Sequence, residues 1–253
     1  MSERKDTVQK YFDKVDVVNC IHNILFWTSA ILSILIFFSK DLNIESTLNI
    51  LFILVTILYF TFSSFLSVFL IRHAQDKRRT NFLTDSLGIK LDDEITNEYY
   101  NNSQIPSLTR LGVNAFENSL FTMRTSEKML IKERLKVGIY ILLWLILTLV
   151  RNTDIYLIAI IGQTLFTSGI LIHWLKLEVL SYSCNRIFND FRQLFISSDI
   201  NNKENQAIIL KLVFQYETVK ANMGVHMSSK IFFRINKQVS DEWERIKANV
   251  GLK

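Results

Sequence analysis

Proline occurs once, at Pro106, and glycine only seven times in 253 residues. Almost nothing in the chain breaks a helix, and a fold of short strands would lack its turn residues. The expected class is all-α. Cysteine is scarce too: Cys20 and Cys184 stand far apart with no Cys-x-x-Cys pair, which excludes a disulfide framework or zinc ribbon as organising device. Charged residues make up 21% of the chain against 49% hydrophobic ones, and the mean hydropathy of +0.20 is high for a water-soluble domain. The net charge of +5 is too small for the total to imply a DNA or RNA partner.

Signatures of catalysis are also missing. No Gly-rich phosphate loop, Gly-x-Ser-x-Gly elbow or His-Glu-x-x-His stretch occurs, and His22, His73, His173 and His226 have no second histidine or cysteine three or four residues away. Neither an enzyme nor a metal or cofactor site is expected.

What the chain does have is long apolar runs. A helix rises about 1.5 Å per residue, so roughly 20 apolar residues cross the hydrocarbon of a bilayer. Cys20 to Phe38 and Leu48 to Ile71 meet that length without a charge. Ile155 to Leu175 carries Gln163 and His173 but no formal charge, while Val137 to Val150 has only fourteen residues, about 21 Å of helix. That third segment crosses only if Lys136 and Arg151 snorkel or the bilayer thins; otherwise it pairs with the fourth as a re-entrant hairpin. The expectation is a polytopic membrane protein with four transmembrane helices and a helical cytosolic module.

Orientation follows from lysine and arginine. Four lie in the first nineteen residues, eleven from Arg72 to Lys136 and twelve after Leu175, against only Lys40 and Arg151 in the two opposite loops. By the positive-inside rule both termini and the central region are cytosolic, as expected of a bacterial inner-membrane protein. The organisation is thus a cytosolic segment 1–19, a hairpin 20–71, a cytosolic region 72–136, a second hairpin 137–175 and a cytosolic tail 176–253. Acids mixed among the leading bases, and no small-residue cleavage site before Lys40, argue against a cleaved signal peptide.

In the cytosolic parts, Arg72 to Arg79 reads as the second span continuing into water, and Tyr99-Tyr100-Asn101-Asn102 as part of a loop. Pro106 suits a helix first turn, after which Leu108, Leu111, Ala115, Phe116, Leu120 and Met123 recur at helical spacing. Ile187, Phe188, Phe191, Leu194 and Phe195 form a second stripe. A helix from about Lys203 to Met223 follows, and Ser240 is read as capping a last helix, with Asp241 and Glu242 in its first turn and Trp243, Ile246 and Val250 inward. The central region is the expected partner for these stripes, a second protomer the other.

Two features admit a functional and a plainer reading. Gln163, Thr164, Thr167 and Ser168 on the fourth span either line a pore or bond neighbouring helices, as small polar residues commonly do. Arg78 and Arg79 either mark the positive membrane edge or contact a nucleotide phosphate, and Tyr99 and Tyr100 either stack on a base or bury against a helix.

The stretch Arg78-Arg79-Thr80-Asn81-Phe82-Leu83-Thr84-Asp85-Ser86-Leu87-Gly88, followed by Tyr99-Tyr100-Asn101-Asn102 and, in the tail, Tyr216-Glu217, Lys220-Ala221, Lys230-Ile231-Phe232 and Asp241-Glu242-Trp243, resembles the SMODS-associated four-transmembrane effector family over nearly the whole chain. The resemblance implies a role in antiphage defence, in which a cyclic di- or trinucleotide made on infection switches on a membrane effector that oligomerises and damages the cell's own membrane. The ligand-binding set is then placed at Arg78, Arg79, Asp85, Tyr99, Tyr100, Asn101 and Asn102. Rival readings are a non-conducting scaffold that recruits a partner and a small ion channel not gated by nucleotide.

Overall fold

The computed structural model describes residues 5–39, 44–94, 96–97, 99–100, 102–149, 169–197 and 202–252. Its elements in chain order are β1 (Lys5–Asp6), α1 (Gln9–Phe38), α2 (Glu45–Phe65), a π-helical turn (Leu66–Leu70), α3 (Ile71–Leu87), β2 (Thr96–Asn97), α4 (Leu108–Leu149), α5 (Ile170–Ser197), α6 (Lys203–Met223) and α7 (Ser229–Asn249). The strands form one antiparallel pairing, with Asp6 opposite Thr96. With so few breakers the helices run long: α2, the π turn and α3 make one helix of 43 residues, and α4 has 42.

The chain divides into two compact units, one of residues 1–13, 71–130 and 176–253, the other of 14–70 and 131–175. The first is built around Phe116 of α4. Its ring meets Phe188, Phe191 and Phe195 of α5 at 4.9, 5.9 and 5.7 Å and the edge of Trp243 of α7 at 5.0 Å. Each such ring taken from water contributes about 1.5–3 kcal/mol. From α6, buried Tyr216 reaches the Thr122 hydroxyl at 2.8 Å. Gly112 lets α4 and α6 approach closely, since a Cβ there would lie 2.8 Å from Ile209 Cγ2. Arg124 of α4 grips Glu242 of α7 with two hydrogen bonds, at 3.1 and 2.6 Å.

Two expected helix starts move. Ser107, not Pro106, caps α4: its hydroxyl accepts the Arg110 N–H at 3.1 Å, and Pro106 stands before the cap, against Gly88. Ser240 lies inside α7, which begins eleven residues earlier behind Ser228, whose hydroxyl accepts the Ile231 N–H. Buried Ile235, Val239 and Trp243 recur every four residues straight through Ser240, so one continuous stripe overrides the local capping signal.

The second unit inverts this pattern. Its small core joins Phe26 of α1, Val137 of α4 and Ile170 of α5, with Tyr59, Tyr140 and Trp174 packed against it, and His22 stacks on Tyr59 at 4.7 Å. Among its described residues most large apolar side chains face outward: Ile57 is 57% exposed, Phe60 71% and Leu149 82%. Among the described residues, two helices are long and apolar enough to cross a membrane, Gln9–Ile36 and Glu45–Leu87, each with only 11% of its most apolar stretch buried. A core helix of a water-soluble protein is mostly covered. Gln163, Thr164, Thr167 and Ser168 lie outside the described residues, as do Arg151 and most of the expected fourth span.

Candidate functional site

α3 is the polar continuation of an apolar helix, and it ends at Gly88, whose positive φ of 67° and N–H bond to the Thr84 carbonyl (2.9 Å) turn the chain back. At 3.6 residues per turn, Arg78, Phe82 and Asp85 share one face, and Arg79 is rotated about 100° from Arg78. The two arginines therefore serve different neighbours.

Arg78 points to the N-terminal segment. Its Nη1 and Nη2 donate to Asp6 Oδ1 and Oδ2 at 3.1 and 2.9 Å, with the guanidinium carbon 4.6 Å from the Tyr99 ring centre and 5.5 Å from that of Phe12. Burial works against the charge, but Tyr99 and the Asp6 carboxylate outweigh it and hold its pKa above the ordinary value. Arg79 turns to α6, donating from Nε to Glu217 Oε2 at 3.0 Å. Burial pushes the Glu217 carboxyl up, yet Lys220 and Arg79 together keep it below the usual carboxylate range.

The other expected residues form a second group. Both Asp85 oxygens accept from Nη2 of Arg110, at 3.1 and 3.0 Å. Asn114, buried on α4, donates to Asp85 and Ser86 at 3.1 and 2.9 Å and accepts from the Asn102 amide. Tyr99 and Tyr100 meet edge to face at 4.9 Å; Tyr100 also packs on Phe82 and accepts a 3.2 Å hydrogen bond from Asn118. Burial lifts its hydroxyl well above the ordinary pKa. Asn101 lies outside the described residues.

A third set fastens the start of α1. Glu94 accepts from the Tyr11 hydroxyl at 2.8 Å and pairs with Lys10 at 2.9 Å; hydrogen bonds from Thr7, Lys10 and Tyr11 bring its carboxyl down to about 2. Lys77 pairs with Asp92 at 2.8 Å. Thus the structure brings Arg78 and Tyr99 together, sends Arg79 elsewhere, and gives Asp85 and Asn102 to a network around Asn114.

Sequence reasoning missed Asp6, Glu94, Arg110 and Asn114. Asn114 carried a signal, a polar residue inside the stripe between Leu111 and Ala115, and such a residue needs a partner when buried. Chemically, both terminal nitrogens of Arg78 are engaged by the Asp6 carboxylate beside the Tyr99 and Phe12 rings, so in this structure the bound anion is the protein's own. Among the described residues no three metal-ligating side chains gather. No family model, curated protein or solved structure matches the chain.

Proposed function

We propose that this protein is a membrane effector of antiphage defence, which binds a cyclic di- or trinucleotide at Arg78 and Tyr99 and then oligomerises to permeabilise the bacterial inner membrane. Four spans per protomer, both termini cytosolic, belong to this reading, as does a homo-oligomer, because four helices enclose little water. One observation carries it: Glu45–Leu87 is a single helix with Ile57 and Phe60 bare at one end and Arg78 beside an aromatic ring at the other. A ligand held at the polar end acts on an element that continues into the apolar one. A shallow, mostly apolar groove along α1 includes Asn19, Asn23 and Thr28 in its lining, and polar side chains of this kind bond neighbouring spans in helical bundles.

To switch from about 1:99 to 99:1 the nucleotide must favour the active state by about 5.5 kcal/mol. The test is leakage from dye-loaded liposomes carrying the purified protein, with and without a panel of cyclic di- and trinucleotides. Leakage with one nucleotide, lost in Arg78→Ala, is the expected result; leakage that ignores every nucleotide returns the protein to a constitutive channel. Because Arg78, Arg79 and Asp85 already have internal partners, a non-conducting scaffold is the rival. It predicts no leakage under any condition from folded protein.

A further inference from the structure

Resting on that reading and going beyond it, we infer that Asp6 is a built-in competitor for the anion site at Arg78: a phosphate group displaces its carboxylate and thereby unfastens the start of α1. The Asp6 carboxylate uses both Nη groups of the guanidinium, at 3.1 and 2.9 Å. A phosphate would take the same fork of donors, so the two anions exclude one another there. Arg78 is only 13% exposed and Asp6 19%, and a charge so placed is costly to leave without a partner. The guanidinium therefore exchanges one anion for another and does not stand bare.

Asp6 is also one of the fastenings of α1, beside Glu94. Its Oδ1 accepts the Val8 N–H at 3.1 Å, Val8 is fully buried, and helix begins at Gln9. Asp6 pairs across the strands with Thr96, whose hydroxyl bonds Asn81 at 2.8 Å. Removing the carboxylate from Arg78 breaks the charged member of this set and leaves Lys10 and Tyr11 on Glu94. The consequence reaches beyond the site because α1 is unbroken from Gln9 to Phe38 and passes from one compact unit to the other between Asp13 and Lys14. Competition also tunes sensitivity, since the apparent affinity falls by the fraction of time the site is open.

The test uses the full chain in phosphatidylcholine vesicles, reading amide hydrogen exchange over Val8 to Phe12 and binding of inorganic pyrophosphate. In the wild type, saturating pyrophosphate should accelerate that exchange about tenfold; Asp6→Asn should show the faster exchange without ligand and bind pyrophosphate about tenfold more tightly, the reciprocal effect. Asp6→Glu, which keeps a carboxylate, should stay near wild type. Pyrophosphate that fails to bind, or binds with the exchange unchanged, overturns the inference even if Asp6→Asn does not fold, because it is read in the wild type. Acceleration by phosphatidylglycerol vesicles without soluble anion would keep Asp6 as competitor and make the anion a lipid phosphate. Nucleotide-triggered leakage with unaltered exchange sinks this inference and spares the effector reading; displacement of Asp6 without leakage under any nucleotide does the reverse.

Discussion

Phe116 and Phe60 are the same residue on two helices of one chain, yet Phe116 has no exposed surface and Phe60 is 71% exposed. The unit that holds Phe116 buries aromatic rings from five helices and pairs buried polar side chains such as Asn114 and Ser86 with one another, as a domain folded by water does. The unit that holds Phe60 keeps a small core and turns its apolar groups out. Helix propensity does not separate the two, since both are made of long unbroken helices; what differs is the solvent each face is made for. All four passages between the units fall within helix, in α1, where the π turn meets α3, in α4 and in α5.

The largest break in this contrast is Phe116→Ala. Four aromatic partners lose their contact, and a ring deleted from a packed core costs about 3–5 kcal/mol. Thermal unfolding of the purified protein should show it as a clear drop in Tm. A charge on the outward apolar face tests the other side: Ile57→Arg places a guanidinium where α2 exposes hydrocarbon, which penalises membrane insertion by about 3 kcal/mol at a span centre. Carbonate extraction of expressing cells should find less protein in the membrane pellet, whereas the same change on a water-facing helix surface should leave it unmoved.

Much of the fold was legible because burial in water writes a period of 3.6 into a helix. The stripes Leu111, Ala115, Phe116, Leu120 and Ile187, Phe191, Leu194 are buried, and the helix read from about Lys203 to Met223 has those ends, behind the Asn202 cap and before Gly224 with its left-handed φ of 55°. The start of α7 was misread because Ser240-Asp241-Glu242 imitates a cap more strongly than Ser228 does; only the spacing through Ile235 and Val239 exposes the imitation. The site was less legible. Asp6 and Arg78 are 72 residues apart, and the strands that set Asp6 opposite Thr96 have two residues each, too short for an alternating pattern. The divergence of Arg78 and Arg79 was available from helix geometry alone, since neighbours in sequence do not face one another.

A smaller effect sharpens the electrostatic side. Glu217 is held below the ordinary carboxylate value of 4.5, so its contribution is fully present above that value and is lost as pH falls through the lower folded one. The stability difference between wild type and Glu217→Gln should be flat near neutral pH and shrink on acidification below 4.5, as read by denaturant unfolding across pH. A difference that grew on acidification would reverse the assigned sign.

The smallest expected effect is the most discriminating one. Phe60→Ala removes the same ring as Phe116→Ala from a position that is already 71% exposed. No cavity forms there, because few protein atoms cover the ring and detergent or lipid fills the vacated space. The unfolding free energy in detergent should therefore change by less than about 0.5 kcal/mol, as for other exposed substitutions. A loss approaching that of Phe116→Ala would mean that Phe60 is covered by protein in the working assembly, most simply by a second copy. The position would then report self-association, and its Tm would rise with protein concentration as mass action requires.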